Sequence, residues 1–297
     1  MHLLLGHAED PCCAGVLARL ESCGLPARIV PAALAPPARL IWRLDAAGVD
    51  SSLYPGVPDR AIAGVLVRDA GWLEAEGWEP DDHAYMQAEL RAAMLAWLAG
   101  LACPVVNRPD AALWYRPHPP LLAWRAPLRR CGLRLPEIVI TSDPAEARDF
   151  RRRLATDGVA GAVCTPLTGA AGCLLADDKA WERLAALQAR MPVCLAEPHG
   201  AATLACIIGG TLVWDGAPAP EAVALGPALA RFAAAMRLAF VAIALAPARN
   251  GLAVVLVEPS PRLERFAPIA RERILDALAA LLTAESSGAS AALDLAS

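Results

Sequence analysis

The sequence predicts an α/β protein whose C-terminal half shifts toward an α+β arrangement. Three observations carry this. Short apolar runs alternate with helical patterns through the first hundred or so residues, the signature of a parallel sheet. The run Gly132–Phe150 reads as helix end, strand and capped helix in close succession. In the last third, Gly209-Gly210 and Asn250-Gly251 each separate two apolar runs, the turn chemistry of antiparallel hairpins.

The elements follow in order. Leu3–Leu5 forms a first short strand and Cys12–Cys23 a helix. Leu40–Leu44 and Gly64–Arg68 read as further buried strands. Met86–Leu101 is an apolar helix with Leu90, Met94, Trp97 and Leu101 at helical spacing, and Cys103–Val106 is the next strand. Asn107–Pro120 is a Pro-rich crossing that marks a boundary. Leu121–Cys131 is a helix stopped by Gly132 in the left-handed conformation. Ile138, Val139 and Ile140 make a buried strand. Asp143 caps the next helix, Pro144 takes its first position, Glu146 completes a capping box, and Phe150 and Leu154 share one face.

Gly161–Pro166 and Cys173–Ala176 form a hairpin that brings Cys164 toward Cys173, and Asp178–Met191 is a helix. Thr203–Ile208 pairs with Thr211–Trp214, and Phe240–Leu245 with Leu252–Val257. A long helix over about Pro220–Arg237 lies between these hairpins, and Phe266–Leu282 is the last helix. The resulting division is 1–112, 113–191 and 192–282, followed by a small, polar, disordered tail over 283–297.

Composition narrows the function classes. The chain of 297 residues is 56% hydrophobic, enough for several packed units. A formal charge of −4 and a single lysine, Lys179, argue against nucleic acid as a partner. No apolar stretch reaches the length of a membrane span, and the start lacks the basic region of a secretory signal. Nine cysteines without such a signal point to free thiols in a reducing cytoplasm. His2, His7, Cys12 and Cys13 cluster near the first strand, but no CxxC or HxxxH spacing makes them a metal site. The eight tryptophans are mostly core candidates; Trp72 and Trp78, in a polar loop, are contact candidates.

The passage Gly132-Leu133-Arg134-Leu135-Pro136, strand, Thr141-Ser142-Asp143-Pro144, helix resembles the entry to the core of RimK-like and graspetide-type (microviridin-type) carboxylate–amine ligases of the ATP-grasp superfamily. The first third is similar to their N-terminal domain through Arg43-Leu44-Asp45, Arg68-Asp69 and Val106-Asn107-Arg108-Pro109. The resemblance covers nearly the whole chain. It implies an ATP-grasp-like fold with a Rossmann-like pre-ATP-grasp domain at the N-terminus.

It also implies positions for chemistry. Such ligases activate a carboxylate as acyl phosphate, with cations on the triphosphate and acidic ligands on magnesium. In this chain the stations for the two lysines fall at Leu121 and Thr165, and the arginine station at Leu204. The metal-binding acids fall at Ala244 and Leu256, with Glu258 in the asparagine position of the final motif Glu258-Pro259-Ser260-Pro261. The phosphate-loop glycines Gly169 and Gly172 and the hinge glutamate Glu197 are retained.

The expectation is therefore a degenerate member that uses no cofactor and serves as a non-catalytic binding or partner subunit in peptide modification or ligation. Its partner is a peptide or protein, such as a related active ligase, in a dimer or hetero-complex. His199, Glu258, Arg262 and Arg68 are the candidate partner-binding residues. The alternative is an active ligase using ATP and magnesium through relocated groups, with Glu197, Gly169, Gly172, Arg116 and His118 as the nucleotide contacts.

Overall fold

The computed structural model describes residues 1–31, 39–45, 48–53, 57–69, 73–116, 119–165 and 172–284. Its first unit begins with β1 (His2–Leu5), α1 (Pro11–Ser22) and β2 (Ala27–Val30). Asp10 caps α1 by accepting from the Cys12 amide, with Pro11 in the first turn. β3 (Ile41–Asp45) and β4 (Gly48–Ser52) pair only with each other, antiparallel. A strand is thus present where Leu40–Leu44 predicts one, but it lies outside the parallel sheet. Strands of a parallel sheet covered on both faces are continuously apolar, whereas Ile-Trp-Arg-Leu-Asp alternates with polar residues.

β5 (Gly64–Val67), α2 (Pro80–Gly100) and β6 (Val105–Val106) complete a parallel sheet of order β2-β1-β5-β6. β2, unread in the sequence, takes one edge of it. α2 starts earlier than the apolar spacing indicates, because Pro80 opens it and Asp81 and Asp82 fill its first turn.

The crossing contains a short helix, α3 (Ala111–Tyr115), capped by Asp110. Leu121–Trp124 is a 3₁₀ turn that passes into α4 (Arg125–Arg130) in place of one continuous helix. Pro127 has no N–H to donate to Ala123, so an α-helical ladder cannot run through from Leu121. Gly132, at φ +80°, ends the helix as expected, with the Leu133 amide donating to Leu128 at 2.9 Å.

β7 (Ile138–Thr141) leads into α5 (Pro144–Thr156). Asp143 accepts from the Ala145 amide, but the return bond of the expected capping box comes from elsewhere: Thr141 Oγ1 accepts from the Asp143 amide at 2.8 Å, and Glu146 faces Arg153. β8 (Ala162–Thr165), β9 (Cys173–Leu175), α6 (Asp178–Gln188) and β10 (Val193–Ala196) follow, and the sheet order is β7-β10-β8-β9. β10 therefore lies inside this middle sheet, whereas the division at 191/192 puts it in the following unit. Phe150, Leu154, Trp181, Leu184 and Leu195 form its core.

β11 (Thr203–Ile208) and β12 (Thr211–Trp214) form one predicted hairpin. After α7 (Pro220–Ala224) and α8 (Gly226–Ala235), β13 (Phe240–Ala248) and β14 (Gly251–Glu258) form the other. Both belong to one antiparallel sheet, β12-β11-β13-β14. The turn at Gly209-Gly210 has both φ angles positive, +55° and +92°, which suits two glycines. The helix expected over Pro220–Arg237 is divided at Leu225, because Pro227 removes the donor that Val223 would need.

α9 (Pro268–Thr283) closes the fold; the expected tail lies outside the described residues from 285 onward. The C-terminal sheet is buried on both faces. Cys206, Ile208, Phe240 and Ala242 face α1 and α9, while Ala205, Ile207, Val241 and Ile243 face Leu229 and Phe232 of α8 and Leu128 of α4. Leu4, Leu66 and Val106 of the first sheet share the α1–α9 core. Among the described residues, no helix is long and apolar enough to cross a membrane.

Candidate functional site

The C-terminal sheet brings the implied stations together. Leu204 pairs with Ala244, and Ala244 with Leu256, so these three residues form one row across β11, β13 and β14. The next row on that face is Cys206, Ala242 and Glu258, because side chains two positions apart point the same way. The register is continuous between these rows and slips just beyond the first: Ala244 pairs with Leu256 and Leu245 with Val254, which leaves Val255 as a bulge. The register thus gathers the three stations on one face, and all three are uncharged.

Glu258 is the one carboxylate on these two rows. It is 7% exposed and already paired, with Arg262 Nε at 3.0 Å and Arg265 Nη1 at 3.7 Å. Arg262 itself reaches into solvent. Arg68 does not project into a cleft: its Nε donates to Asp10 at 2.7 Å, its Nη1 donates to Ser260 Oγ at 2.8 Å, and the guanidinium lies 6.0 Å from the Phe240 ring.

Asn107 works beside Arg68. Its Nδ2 donates to the carbonyls of Phe240 at 2.6 Å and Pro259 at 2.7 Å, and its Oδ1 accepts from the Phe240 amide at 2.7 Å. Arg108 donates to the carbonyls of Leu98, Leu101 and Cys103 and so satisfies the end of α2. Of the residues that resemble the ligases' N-terminal domain, Arg68 and Asn107 thus fasten the first sheet to β13 and the turn after β14. Asp10 and Ser260 are part of this fastening, and no sequence signal beyond the cap of α1 marks Asp10.

Glu197 ends β10. Its amide donates to the Glu137 carbonyl at 2.9 Å, and the residue is 4% exposed. It lines a cavity of about 260 Å³ with Arg134, Glu137, Arg249 and Asn250. Arg249 is committed to Glu137 at 2.8 Å and to Asp157. An adjoining cavity of about 480 Å³ is lined by Arg125, Arg129, Arg134 and Glu137. His199 is exposed beyond the hinge, with Nδ1 2.9 Å from the Gly200 carbonyl. Arg116 is exposed at the end of α3, on a different element from all of these.

Gly172 sits where any side chain would collide: a Cβ there would come within 2.7 Å of Val163 and Thr165. Gly169 and His118 lie outside the described residues. Thr165 Oγ1 donates to Cys194 Sγ at 3.4 Å, and Leu121 packs on the α8 side of the C-terminal sheet.

The first-strand cluster separates. His2 is buried, His7 reaches Asp69 at the surface, and burial pushes the Cys12 thiol up to about 12 and Cys13 up as well. Among the described residues, no three His, Cys, Asp or Glu side chains are gathered as a metal site. Of the two contact candidates, Trp78 is exposed and Trp72 lies outside the described residues.

No family model matches the chain, and no curated protein matches it. Solved structures do. The macrocyclase MdnC from Microcystis aeruginosa MRC, bound with precursor peptide MdnA, aligns over 92% of this chain and 97% of its own with TM-score 0.69 and 16% identity. The ATP-grasp ligase PsnB complexed with a minimal precursor aligns over 94% and 98%, with TM-score 0.72 and 17% identity. The RiPP-associated ATP-grasp ligase of Chryseobacterium gregarium, in complex with ADP and a leader and core peptide, aligns over 95% and 96%, with TM-score 0.71 and 14% identity. The chain has the ATP-grasp fold, and its likeness to these proteins extends over almost its entire described length.

Proposed function

We propose that this chain is a peptide-binding member of the RimK-like, graspetide-associated ATP-grasp ligases that acts as a non-catalytic partner subunit and does not take up magnesium nucleotide as ligases do. One observation carries the reading: the row Leu204–Ala244–Leu256 is apolar at three neighbouring stations that the resemblance assigns to charge. Magnesium requires oxygen ligands, and Glu258, the nearest carboxylate, is held by two arginines. A hydrogen bond to a charged group contributes roughly 1.5–3 kcal/mol, so three lost contacts remove about 5–9 kcal/mol before metal ligation is counted. The residues present do not fit the group, and no chemical step is assigned to it.

In this reading the partner peptide meets His199, Glu258 and Arg262, while Arg68 holds the wall behind them. The unit boundary at 112 and a reducing cytoplasmic setting belong to the same proposal; none of the nine cysteines is in a disulfide.

A second reading, an active carboxylate–amine ligase with relocated groups, is favoured by a specific feature. Arg125, Arg129 and Arg134 converge on the 480 Å³ cavity beside the hinge, where the one acidic side chain, Glu137, is already offset by Arg153 and Arg249. The structural neighbours also favour it, since they are ligases and some are complexed with ADP and magnesium. Calorimetry with ATP and magnesium separates the two. The first reading expects no binding up to about 1 mM, equivalent to roughly −4 kcal/mol. Tighter binding that is lost in Arg125→Ala establishes the second.

A further inference from the structure

The middle sheet contains a chemical pair that neither reading uses. Cys164 of β8 and Cys173 of β9 occupy directly opposed positions in an antiparallel pair. Opposed residues in such a ladder have Cα atoms about 4.5 or 5.5 Å apart, and a disulfide accepts about 4.4–6.8 Å, so either kind of site meets the requirement. Side chains at opposed positions of such a ladder lie on the same face of the sheet, so the two thiols are neighbours.

Their surroundings differ in a useful way. Cys173 is exposed, while Cys164 is half-buried against the Leu195 side of the core. Cys194 is near, but it pairs with Thr165 and so points to the opposite face of the sheet. Cys12, Cys13, Cys103 and Cys206 are buried, and Cys23 is exposed on the first unit. The position of the pair also matters. β9 is a three-residue edge strand, and β8 is its one neighbour in the sheet. Few backbone bonds hold such a strand, so a covalent tie changes its opening more than it would for a central strand.

We infer that Cys164 and Cys173 form a dithiol–disulfide couple that locks the edge strand β9 onto β8 when oxidised by a low-molecular-weight disulfide. The Cys173 thiolate attacks one sulfur of the oxidant, breaks its S–S bond and releases the first thiolate. The Cys164 thiol then gives up its proton and attacks the Cys173 sulfur of the mixed disulfide, releasing the second. Two cysteine thiols are oxidised and one disulfide is reduced to two thiols. Excess thiol reverses both steps. Burial raises the Cys164 thiol above its ordinary range, which lowers its thiolate fraction and leaves the exposed Cys173 as the site of first attack.

The test treats the folded full chain with oxidised glutathione and maps its peptides by mass spectrometry, with dithiothreitol as the reduced reference. The expected product links the peptides of Cys164 and Cys173, lighter by two hydrogens, and exchange of the β9 amides that face β8 slows by roughly 30-fold or more. Cys164→Ser should stop at a glutathione adduct on Cys173, and Cys173→Ser should leave Cys164 unmodified. Stable glutathione adducts on wild-type Cys173 without the link overturn the inference. So does a link from Cys173 to Cys194, or unchanged exchange in the linked protein. The wild-type map alone decides the linkage if a variant fails to fold.

Discussion

The C-terminal and middle sheets are both antiparallel and four-stranded, yet they use their faces differently. The C-terminal sheet is covered on both sides, by α1 and α9 on one and by α8 and α4 on the other, and its strands are accordingly apolar apart from Thr203, Thr211 and Glu258 at their ends. The middle sheet is covered on one side by α5 and α6. Its other face carries the row Ile138–Ala196–Val163–Leu174, with Leu174 57% exposed and nearby Ile140 38% exposed. A face open to water is ordinarily polar, so an apolar one invites a ligand. The sheet that the resemblance expects to be charged is core-like, and the middle sheet carries exposed apolar side chains on one face.

The largest expected effect contrasts the two sheets directly. Phe232 is fully buried beneath the C-terminal sheet and edge-on to Trp124 at 5.8 Å. Phe232→Ala should cost about 3–5 kcal/mol in chemical denaturation. Leu174→Ala, on the open face, should change stability by no more than about 0.5 kcal/mol. Comparable losses in the two variants would mean that the middle sheet is as closed as its neighbour.

Next comes the fastening between the first sheet and the C-terminal sheet. Asn107→Ala leaves the Phe240 amide and carbonyl and the Pro259 carbonyl without their partner. The expected loss is about 2–3 kcal/mol, because buried backbone groups lose satisfied bonds. Arg262→Ala leaves the buried Glu258 carboxylate with Arg265 as its remaining arginine and should cost less, about 1 kcal/mol. An Asn107→Ala protein as stable as the wild type would detach the two sheets energetically.

What the sequence disclosed follows the range of the interactions. The two hairpins of the C-terminal sheet were legible because Gly209-Gly210 and Asn250-Gly251 carry their own turn chemistry. The left-handed stop at Gly132 and the cap at Asp143 were legible for the same reason. β10 was not, since Val-Cys-Leu-Ala gains its identity from β7 and β8, far away in the chain. The break at Leu225 was legible in principle from Pro227, which outweighs the apolar periodicity around it. For the candidate site, the resemblance assigned Leu204, Ala244 and Leu256 their stations, but that they stand abreast emerges only from the strand register. The link from Arg68 through Asp10 and Ser260 spans most of the chain and leaves no local pattern.

A smaller effect tests the closed side by pH. His2 on β1 is buried against α9, and neither ring nitrogen has a hydrogen-bond partner among the described residues. Burial lowers its pKa from the ordinary 6.5; the carbonyls of Pro26 and Leu282 favour the proton but lie outside hydrogen-bonding geometry and do not outweigh burial. The unfolded chain therefore binds a proton near pH 6.5 that the folded chain resists. Stability from this group is complete above that pH and falls as the pH drops toward the folded value. Urea midpoints measured from neutral to mildly acid pH should decline, and the decline should be shallower in His2→Leu. An identical slope in the variant would assign the acid sensitivity to other groups.

The smallest effect concerns Arg237, which joins α8 to β13 on the closed side. It is the one described non-glycine residue with positive φ, at +54°. The conformation is imposed by the helix ending, in which the Arg237 amide donates to Ala234 and the Leu238 amide donates to Ala233. A β-carbon in that region is strained, and glycine relieves it. Arg237→Gly should therefore raise stability by about 0.5–1 kcal/mol, although glycine also loosens the unfolded chain. The same replacement at Arg190, beyond α6 of the middle sheet, meets no positive φ and should bring no gain. A rise in the denaturation midpoint at Arg237 alone would show that the closed side tolerates local strain because its packing fixes the helix end. No rise at either position would mean that the guanidinium of Arg237 contributes as much as its backbone costs.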